Sequence, residues 1–173
     1  VNNLCTNDVK QLAIGYGCEA FVTNVRGWCV EHGFILKRTN EILIVGQFGN
    51  PTALCAHIDR YIVREDAKLT DQSDLKCVLL LGQLEADAIA AHFANRQLAP
   101  TGGAIHETQI AGAQVIAVSV DLLAEDDVLL IAELADREAL IEALSGAGIA
   151  LHAPDEFERL RIASGWPLAG REI

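Results

Sequence analysis

The order of strands and helices constrains this chain more than any other feature of its sequence. Three strand-like stretches precede the first helix: residues 18–24, 28–37 and 41–48. Turn residues separate them, first Asn24 to Gly27 and then Thr39 with Asn40, and Gly27 supplies a dihedral angle that other residues avoid. Strands in direct succession form an antiparallel meander, which argues against a doubly wound parallel sheet.

The rest of the chain also places several strands between successive helices. Helical spacing, caps and composition predict helices over 2–12, from Asn50-Pro51 onward, over 85–94, over 137–145 and from 154 to 164. Further strands are predicted at 62–70, 76–82, 104–110, 114–121 and 127–134. The pattern predicts an α+β fold, with antiparallel sheets and packed helices. Because the loop 95–103 carries Gly102-Gly103, we predict subdomains at 1–100 and 101–173.

Composition excludes several classes of function. The net charge is −11, 51% of residues are apolar and the mean hydropathy is +0.25. A disordered chain needs lower hydrophobicity, and a phosphate-backbone binder needs clustered Lys and Arg. No apolar run approaches the roughly 20 residues of a membrane span. We therefore expect neither nucleic acid nor membrane as partner, whereas a small ligand held by local donors stays possible.

Cysteine and histidine spacing gives no sign of a metal site. The five cysteines form no CxxC pair, and the five histidines form no HExxH or HxH pattern. We predict no metal site and free thiols in a reducing compartment, the cytoplasm. The chain has no Met and opens on Val1, so we expect it to be a piece of a longer protein.

Polar residues interrupt apolar stretches at three places. Thr6-Asn7-Asp8 lies within the first predicted helix, Glu31-His32 lies in the middle of the second strand, and Gln47 follows an apolar run. One member of a mid-strand pair faces the core, where it needs a partner or a ligand. The alternative for each group is structural: a solvated helix face, a satisfied strand side chain, or a strand-end hydrogen bond.

Three segments in the same order resemble the folate-binding domain of the glycine-cleavage T-protein superfamily. They are Asn2 to Asp8 with the turn Asn24-Val25-Arg26-Gly27, then His57 to Tyr61 with Glu65-Asp66 and Asp71-Gln72-Ser73, and then Leu160 to Ile173. The last is similar to the family's LRIEAGxPLyGxE segment. The resemblance spans nearly the whole chain and implies an α+β domain that binds tetrahydrofolate in a central cavity.

The resemblance also implies roles for individual residues. An Asp pair after the turn supplies the catalytic carboxylate of the aminomethyltransferases, and this chain has Glu31 and His32 there. These two are the candidate catalytic residues, if the protein is active. The folate-contacting residues implied are Asn24, the family's Asn replaced by Gln47, and two basic residues for an anionic tail, Arg26 and Arg161.

Several family features are missing. The Tyr-x-Gly-Glu segment, whose Glu pairs with the pterin, has no counterpart between Asp121 and Ala132. Phe157 stands where an Arg is expected, and Ala163 stands where the LRIEAG segment has Glu. These departures resemble the YgfZ-type branch, folate-binding relatives linked to iron–sulfur protein maintenance. That branch carries a KGCYxGQE motif shortly after the segment at which this chain stops.

Three functions follow as alternatives. The first is a tetrahydrofolate-binding protein of the YgfZ type without aminomethyltransferase activity, and with a protein client of unknown identity. The second is an active aminomethyltransferase, in which Glu31 or His32 replaces the usual Asp. The third is a non-enzymatic accessory domain whose ancestral pocket is filled. A cavity shared by Asn24, His32 and Gln47 would favour a ligand.

Overall fold

The computed structural model of the protein describes residues 2–46, 51–63 and 66–173. The strands are β1 (Tyr16–Thr23), β2 (Cys29–Lys37), β3 (Ile42–Gly46), β4 (Lys76–Leu81), β5 (Ile105–Ile110), β6 (Ala113–Val120) and β7 (Asp127–Glu133). The α-helices are α1 (Pro51–Asp59), α2 (Gln83–His92), α3 (Arg137–Gly146) and α4 (Pro154–Ser164). No helix in the described ranges has the length and apolar character needed to cross a membrane.

The strands form two antiparallel sheets. The first has the order β1-β2-β3 and the second the order β4-β7-β6-β5. The meander predicted before the first helix and the α+β class are therefore confirmed. The second sheet takes strands from both sides of residue 100, and the division into subdomains at that position stays a prediction.

The described elements stack in four layers because both sheets are apolar on both faces. Along β7, Val128 and Leu130 pack toward α2 and α3, whereas Leu129 and Ile131 pack toward the first sheet. The first sheet meets them through Phe34 and its neighbours on the same face, and its opposite face packs against the N-terminal segment and α1. Two covered faces explain the continuous apolar runs, since a strand exposed on one side would alternate.

Glycines at the predicted subdomain boundary join the two sheets. The Gly17 amide donates to the Gly103 carbonyl at 2.8 Å, and the Ile105 amide donates to the Gly15 carbonyl at 2.8 Å. Gly103 has a φ of 77°, and a Cβ on it would lie 2.9 Å from the carbonyl oxygen of Gly17. A residue without a side chain is required at this crossing.

The prediction of a helix over 2–12 is wrong. Asn2–Leu4 form one 3₁₀ turn, and the following residues run along the edge of β1. The Thr6 hydroxyl accepts a hydrogen bond from a β1 amide at 3.1 Å, and the Asp8 carboxylate accepts one from an amide three residues further on at 3.3 Å. Such side-chain bonds compete with a helix. Lys37 holds the segment by donating to three of its carbonyl oxygens.

The strand predicted over 62–70 is also absent from its described residues, 62–63 and 66–70. The Tyr61 amide donates to the Ile58 carbonyl at 2.9 Å, and the Ile62 amide donates to the Asp59 carbonyl at 3.1 Å. The chain leaves α1 through these turn bonds. The helix predicted from residue 50 onward is confirmed over Pro51–Asp59, whereas its proposed cap, Asn50, lies outside the described residues.

Gly33 should be required for the pairing of β2 with β3. A Cβ on Gly33 would lie 2.1 Å from the carbonyl oxygen of Val45, so Gly33→Ala forces two paired backbones apart. We expect a loss of about 3 kcal/mol or more in the free energy of unfolding, the upper range for overpacked sites. Urea unfolding followed by circular dichroism measures it.

Gly146→Ala is the matched control for that substitution. Gly146 ends α3, and a Cβ there meets no atom within 4 Å. Alanine favours a helix over glycine, so the control should leave stability unchanged or raise it by up to about 1 kcal/mol. Equal stability of the two variants would contradict the close approach at Gly33.

Candidate functional site

His32 lies at the centre of an aromatic stack. Its side chain is 0% exposed, and its ring lies between the rings of Phe21 and Trp166. The centroid of the His32 ring is 4.0 Å from that of Phe21, at an interplanar angle of 5°. The centroid of Trp166 is 4.3 Å away on the other side, at 22°. Phe21 reaches this position because it pairs with His32 across β1 and β2.

Both ring nitrogens of His32 face oxygen acceptors. Nδ1 lies 3.0 Å from the carbonyl oxygen of Pro167, and Nε2 lies 2.7 Å from Oε1 of Glu19. A carbonyl oxygen can only accept, so Nδ1 donates to Pro167, and Nε2 and the Glu19 carboxyl group share one proton in their hydrogen bond. Glu19 is half exposed, with 46% of its side chain accessible. The contact therefore connects a buried ring to the surface.

Glu31 faces the opposite side of β2. It is 3% exposed, pairs with Val22, and its Oε1 accepts a hydrogen bond from the His32 amide at 3.1 Å. Its carboxyl group packs against the Cα of Gly46, where an added Cβ would lie 2.8 Å from Glu31 Cδ. Both residues of the predicted catalytic pair are buried, because both faces of the sheet are covered. They do not share a site.

The two folate contacts predicted in the first turn, Asn24 and Arg26, differ in their surroundings. The Asn24 side-chain oxygen accepts hydrogen bonds from the Arg26 amide at 2.9 Å and from the Trp28 amide at 3.2 Å. With Gly27 at a φ of 78°, these bonds fix the turn. Arg26 is exposed on that turn. Neither Asn24 nor His32 lines either of the two grooves described below, and Gln47 lies outside the described residues.

Arg161 is the centre of a buried ion-pair network rather than an open anchor. Its side chain is 1% exposed, and its guanidinium donates two hydrogen bonds of 2.9 Å to the Glu158 carboxylate. It also contacts the Glu172 carboxylate at 3.0 Å and donates to the Trp166 carbonyl at 2.9 Å. These contacts are those of a helix arginine bound to nearby carboxylates, not of an anchor for a ligand. They hold the segment carrying Trp166 against β2.

The network shifts the acidity of its members. Hydrogen bonding by Arg161 is the main cause that lowers the pKa of Glu158. The pKa of Glu172 is lowered first by a hydrogen bond from the Leu168 amide and then by Arg161. The two carboxylates in turn raise the pKa of Arg161. All three groups are therefore charged at neutral pH.

An open groove of about 540 Å³ lies at the turn end of the first sheet. Its lining includes Phe21 from the His32 stack, the exposed Trp28 and Ile173. Thr6, Thr23, Gly27 and Cys29 complete it. This groove is mainly apolar, and the predicted site residues that the structure describes do not line it.

A second groove of about 450 Å³ lies where the two sheets meet. Glu19 and Phe34 line it from the first sheet, and Gly102-Gly103 and the loop 121–126 line it from the other side. Among its described lining residues there is no basic side chain. Four of these residues carry carboxylates: Glu19, Asp121, Glu125 and Asp126. Such a surface attracts N–H donors and cations and repels free anions.

Buried polar contacts shape the loop of this groove. Asp127, which is 2% exposed, accepts hydrogen bonds from the Leu123 amide at 2.6 Å and the Ala124 amide at 2.9 Å. Burial raises the pKa of Asp127 in spite of these bonds. Asp126 has a φ of 57° and accepts hydrogen bonds from the Gly102 amide at 2.7 Å and the Ser119 hydroxyl at 2.8 Å. The loop therefore presents Glu125 from a fixed backbone.

Sequence reasoning missed Glu19 and Glu125. Glu19 could have been found from the strand register: the turn at 24–27 sets β1 against β2, and Glu19 then lies diagonal to His32 on the same face. No sequence pattern marked Glu125, which stands among four acidic residues between positions 121 and 127.

One comparison with known proteins agrees with the resemblance stated from sequence. No family model matches the chain. The chain is similar to an aminomethyltransferase. That protein comes from Rubrobacter xylanophilus and is 25% identical over 174 aligned positions, which cover 100% of this chain. This chain spans only 47% of its length. The similarity supports the T-protein superfamily at a coarse level and does not distinguish the YgfZ-type branch.

The Arg161 network should make stability depend on acid. Carboxyl groups with lowered pKa values stabilise the fold above their ordinary pKa of 4.5, and this contribution disappears as pH falls through the lowered values. In Arg161→Met the pKa values of Glu158 and Glu172 return toward the ordinary value. We expect the melting temperature of the wild type to fall more steeply below pH 4.5 than that of the variant.

Arg171→Met serves as the control for thermal unfolding followed from pH 7 to pH 3. Arg171 is 64% exposed and contacts Glu158 at 3.0 Å and Glu172 at 3.9 Å, so these solvent-screened contacts are weaker than those of Arg161 and their loss should keep most of the wild-type slope. Identical slopes in the wild type and Arg161→Met would show that the network has no electrostatic role.

Proposed function

We propose that this chain binds tetrahydrofolate in the second groove, and that it does not use Glu31 or His32 for aminomethyl transfer. The observation that carries the proposal is the meeting of an aromatic side chain and several carboxylates in one groove. Phe34 contributes to the apolar wall, while Glu19 and Glu125 supply carboxylates. The similarity to an aminomethyltransferase along the whole chain supports the choice of ligand.

The chemistry of the lining fits the bicyclic head of a folate. A volume of about 450 Å³ falls in the range of ligand pockets, about 300–1,000 Å³. Carboxylates pair with the N–H groups at the pterin edge, and Glu125 takes this role in the proposal. An anionic glutamate tail has no basic partner among the described lining residues, because Arg161 is committed to its network. The tail therefore extends toward solvent.

The absence of an accessible catalytic carboxylate at positions 31 and 32 favours a YgfZ-type role. His32 is buried with both nitrogens engaged, and Glu31 faces the other side of β2. A link to iron–sulfur protein maintenance in the cytoplasm, and a protein client, follow from that branch and stand as part of this proposal. Residues downstream of Ile173 that spell Lys-Gly-Cys-Tyr in the natural gene would support it.

Binding of tetrahydrofolate should depend on Glu125. Isothermal titration of the wild type should give a saturable signal, and Glu125→Gln should weaken binding about tenfold, since a hydrogen bond to a charged group is worth about 1.5–3 kcal/mol. The substituted side chain is exposed, so the melting temperature should not change.

Glu138→Gln is the matched control for that titration. Glu138 lies on α3, exposed and outside the groove, so its neutralisation changes the net charge equally. It should bind like the wild type. No heat and no thermal shift with the wild type at millimolar ligand would refute the proposed function.

Retained aminomethyltransferase activity is the second candidate. The observation that favours it is Glu19, which provides an accessible carboxylate beside the ring that occupies the catalytic position. Transfer from a lipoate-bound aminomethyl group to tetrahydrofolate measures it. Activity lost in Glu19→Gln and kept in Glu31→Gln would favour this candidate, whereas wild-type protein without turnover would dispose of it.

A further inference from the structure

We infer that Glu19, held in place by His32, is the carboxylate that this protein presents to an amine or other N–H donor of its ligand. The inference deepens the proposed function and takes its folate ligand from it. It assigns His32 the part of a positioning residue that touches Glu19 rather than ligand.

Glu19 and His32 form a direct side-chain contact that leaves one carboxyl oxygen of Glu19 open to the groove. Glu19 Oε1 lies 2.7 Å from His32 Nε2, and within the described residues the structure gives the Glu19 side chain no other hydrogen bond. Its Oε2 is therefore available to a ligand. Since Glu19 lines the second groove and is 46% exposed, a ligand in that groove reaches it without any rearrangement.

The ring of His32 is held rigidly in its position. His32 cannot turn away, because its faces are covered by Phe21 and Trp166 and its Nδ1 is bound to the Pro167 carbonyl. An exposed glutamate normally loses side-chain entropy when it binds a ligand. Fixing one carboxylate oxygen in advance lowers that cost and aims the other oxygen, which is the benefit of a preorganised site.

The strand register places Glu19 beside an apolar wall. Glu19 is the direct cross-strand partner of Phe34 and lies diagonal to His32 on the same face of the sheet. Both Glu19 and Phe34 line the second groove, so an N–H donor in that groove meets the Glu19 carboxyl group beside an apolar side chain.

Two probes test the inference, tetrahydrofolate and benzamidine, a flat cation with N–H donors. Each is titrated into the wild type, Glu19→Gln and the control Glu138→Gln, with calorimetry for folate and amide chemical shifts of β1 and the loop 121–126 for benzamidine. Glu19→Gln should weaken both probes about tenfold or more, a typical effect of removing a charged partner. The sign is informative: folate is an anion, so a Glu19 that only repelled it would give tighter binding in Glu19→Gln.

A double-mutant cycle tests the positioning role of His32. His32→Phe keeps an aromatic ring between Phe21 and Trp166 but releases Glu19. It should weaken binding in the wild-type background and have no further effect in the Glu19→Gln background. A merely structural role would weaken binding equally in both backgrounds. Should His32→Phe fail to fold, Glu19→Gln alone decides the inference.

The outcomes separate the inference from the proposed function. Folate binding unchanged or tightened in Glu19→Gln overturns the inference and leaves the function standing. Benzamidine binding that requires Glu19, without any folate binding, refutes the function and supports the inference. If neither probe binds the wild type, both are overturned.

Discussion

The contact between the buried ring of His32 and the half-exposed Glu19 is the interaction on which the arrangement of the site depends. A polar ring without hydrogen-bond partners is costly in an apolar interior, and both nitrogens of His32 have an oxygen partner. One partner comes from β1 and the other is the carbonyl oxygen of Pro167, on the segment that the Arg161 network holds. An N-terminal strand and the C-terminal segment thus meet at the His32 ring, and the second groove lies beside it.

Much of the fold was predictable, since local chemistry and tertiary packing agree along most of it. The meander follows from Asn24 to Gly27, whose Asx bonds and positive φ are what the turn residues predict. The segment 2–12 failed for the opposite reason. Leu4 and Val9 have helical spacing, but Thr6 and its neighbours satisfy backbone groups of β1, and tertiary pairing overrides the local pattern.

The candidate site was less predictable because it depends on which face of a strand each residue takes. The sequence marks Glu31-His32 as a pair. Neighbouring side chains of a strand point to opposite faces, however, and both faces of this sheet are covered, so the two side chains lie in separate layers. The negative charge of the groove comes from Glu19 and from the loop 121–126, residues that look like ordinary surface acids in the sequence. Only the register of β1 against β2 and the closing of the sheets at Gly103 bring them together.

The central position of β2 has a consequence for how this protein evolves. Because side chains alternate with a period of two, inserting or deleting one residue in the strand would send an imidazole under α1 and a carboxylate into the aromatic stack. A substitution at position 31 or 32 affects only the neighbours on its own face of the sheet, so the two positions can change independently. A change in the length of β2 alters the packing on both faces at once. Relatives that share this architecture should therefore vary in the chemistry of these two positions while keeping the number of residues between the turn and Gly33 fixed.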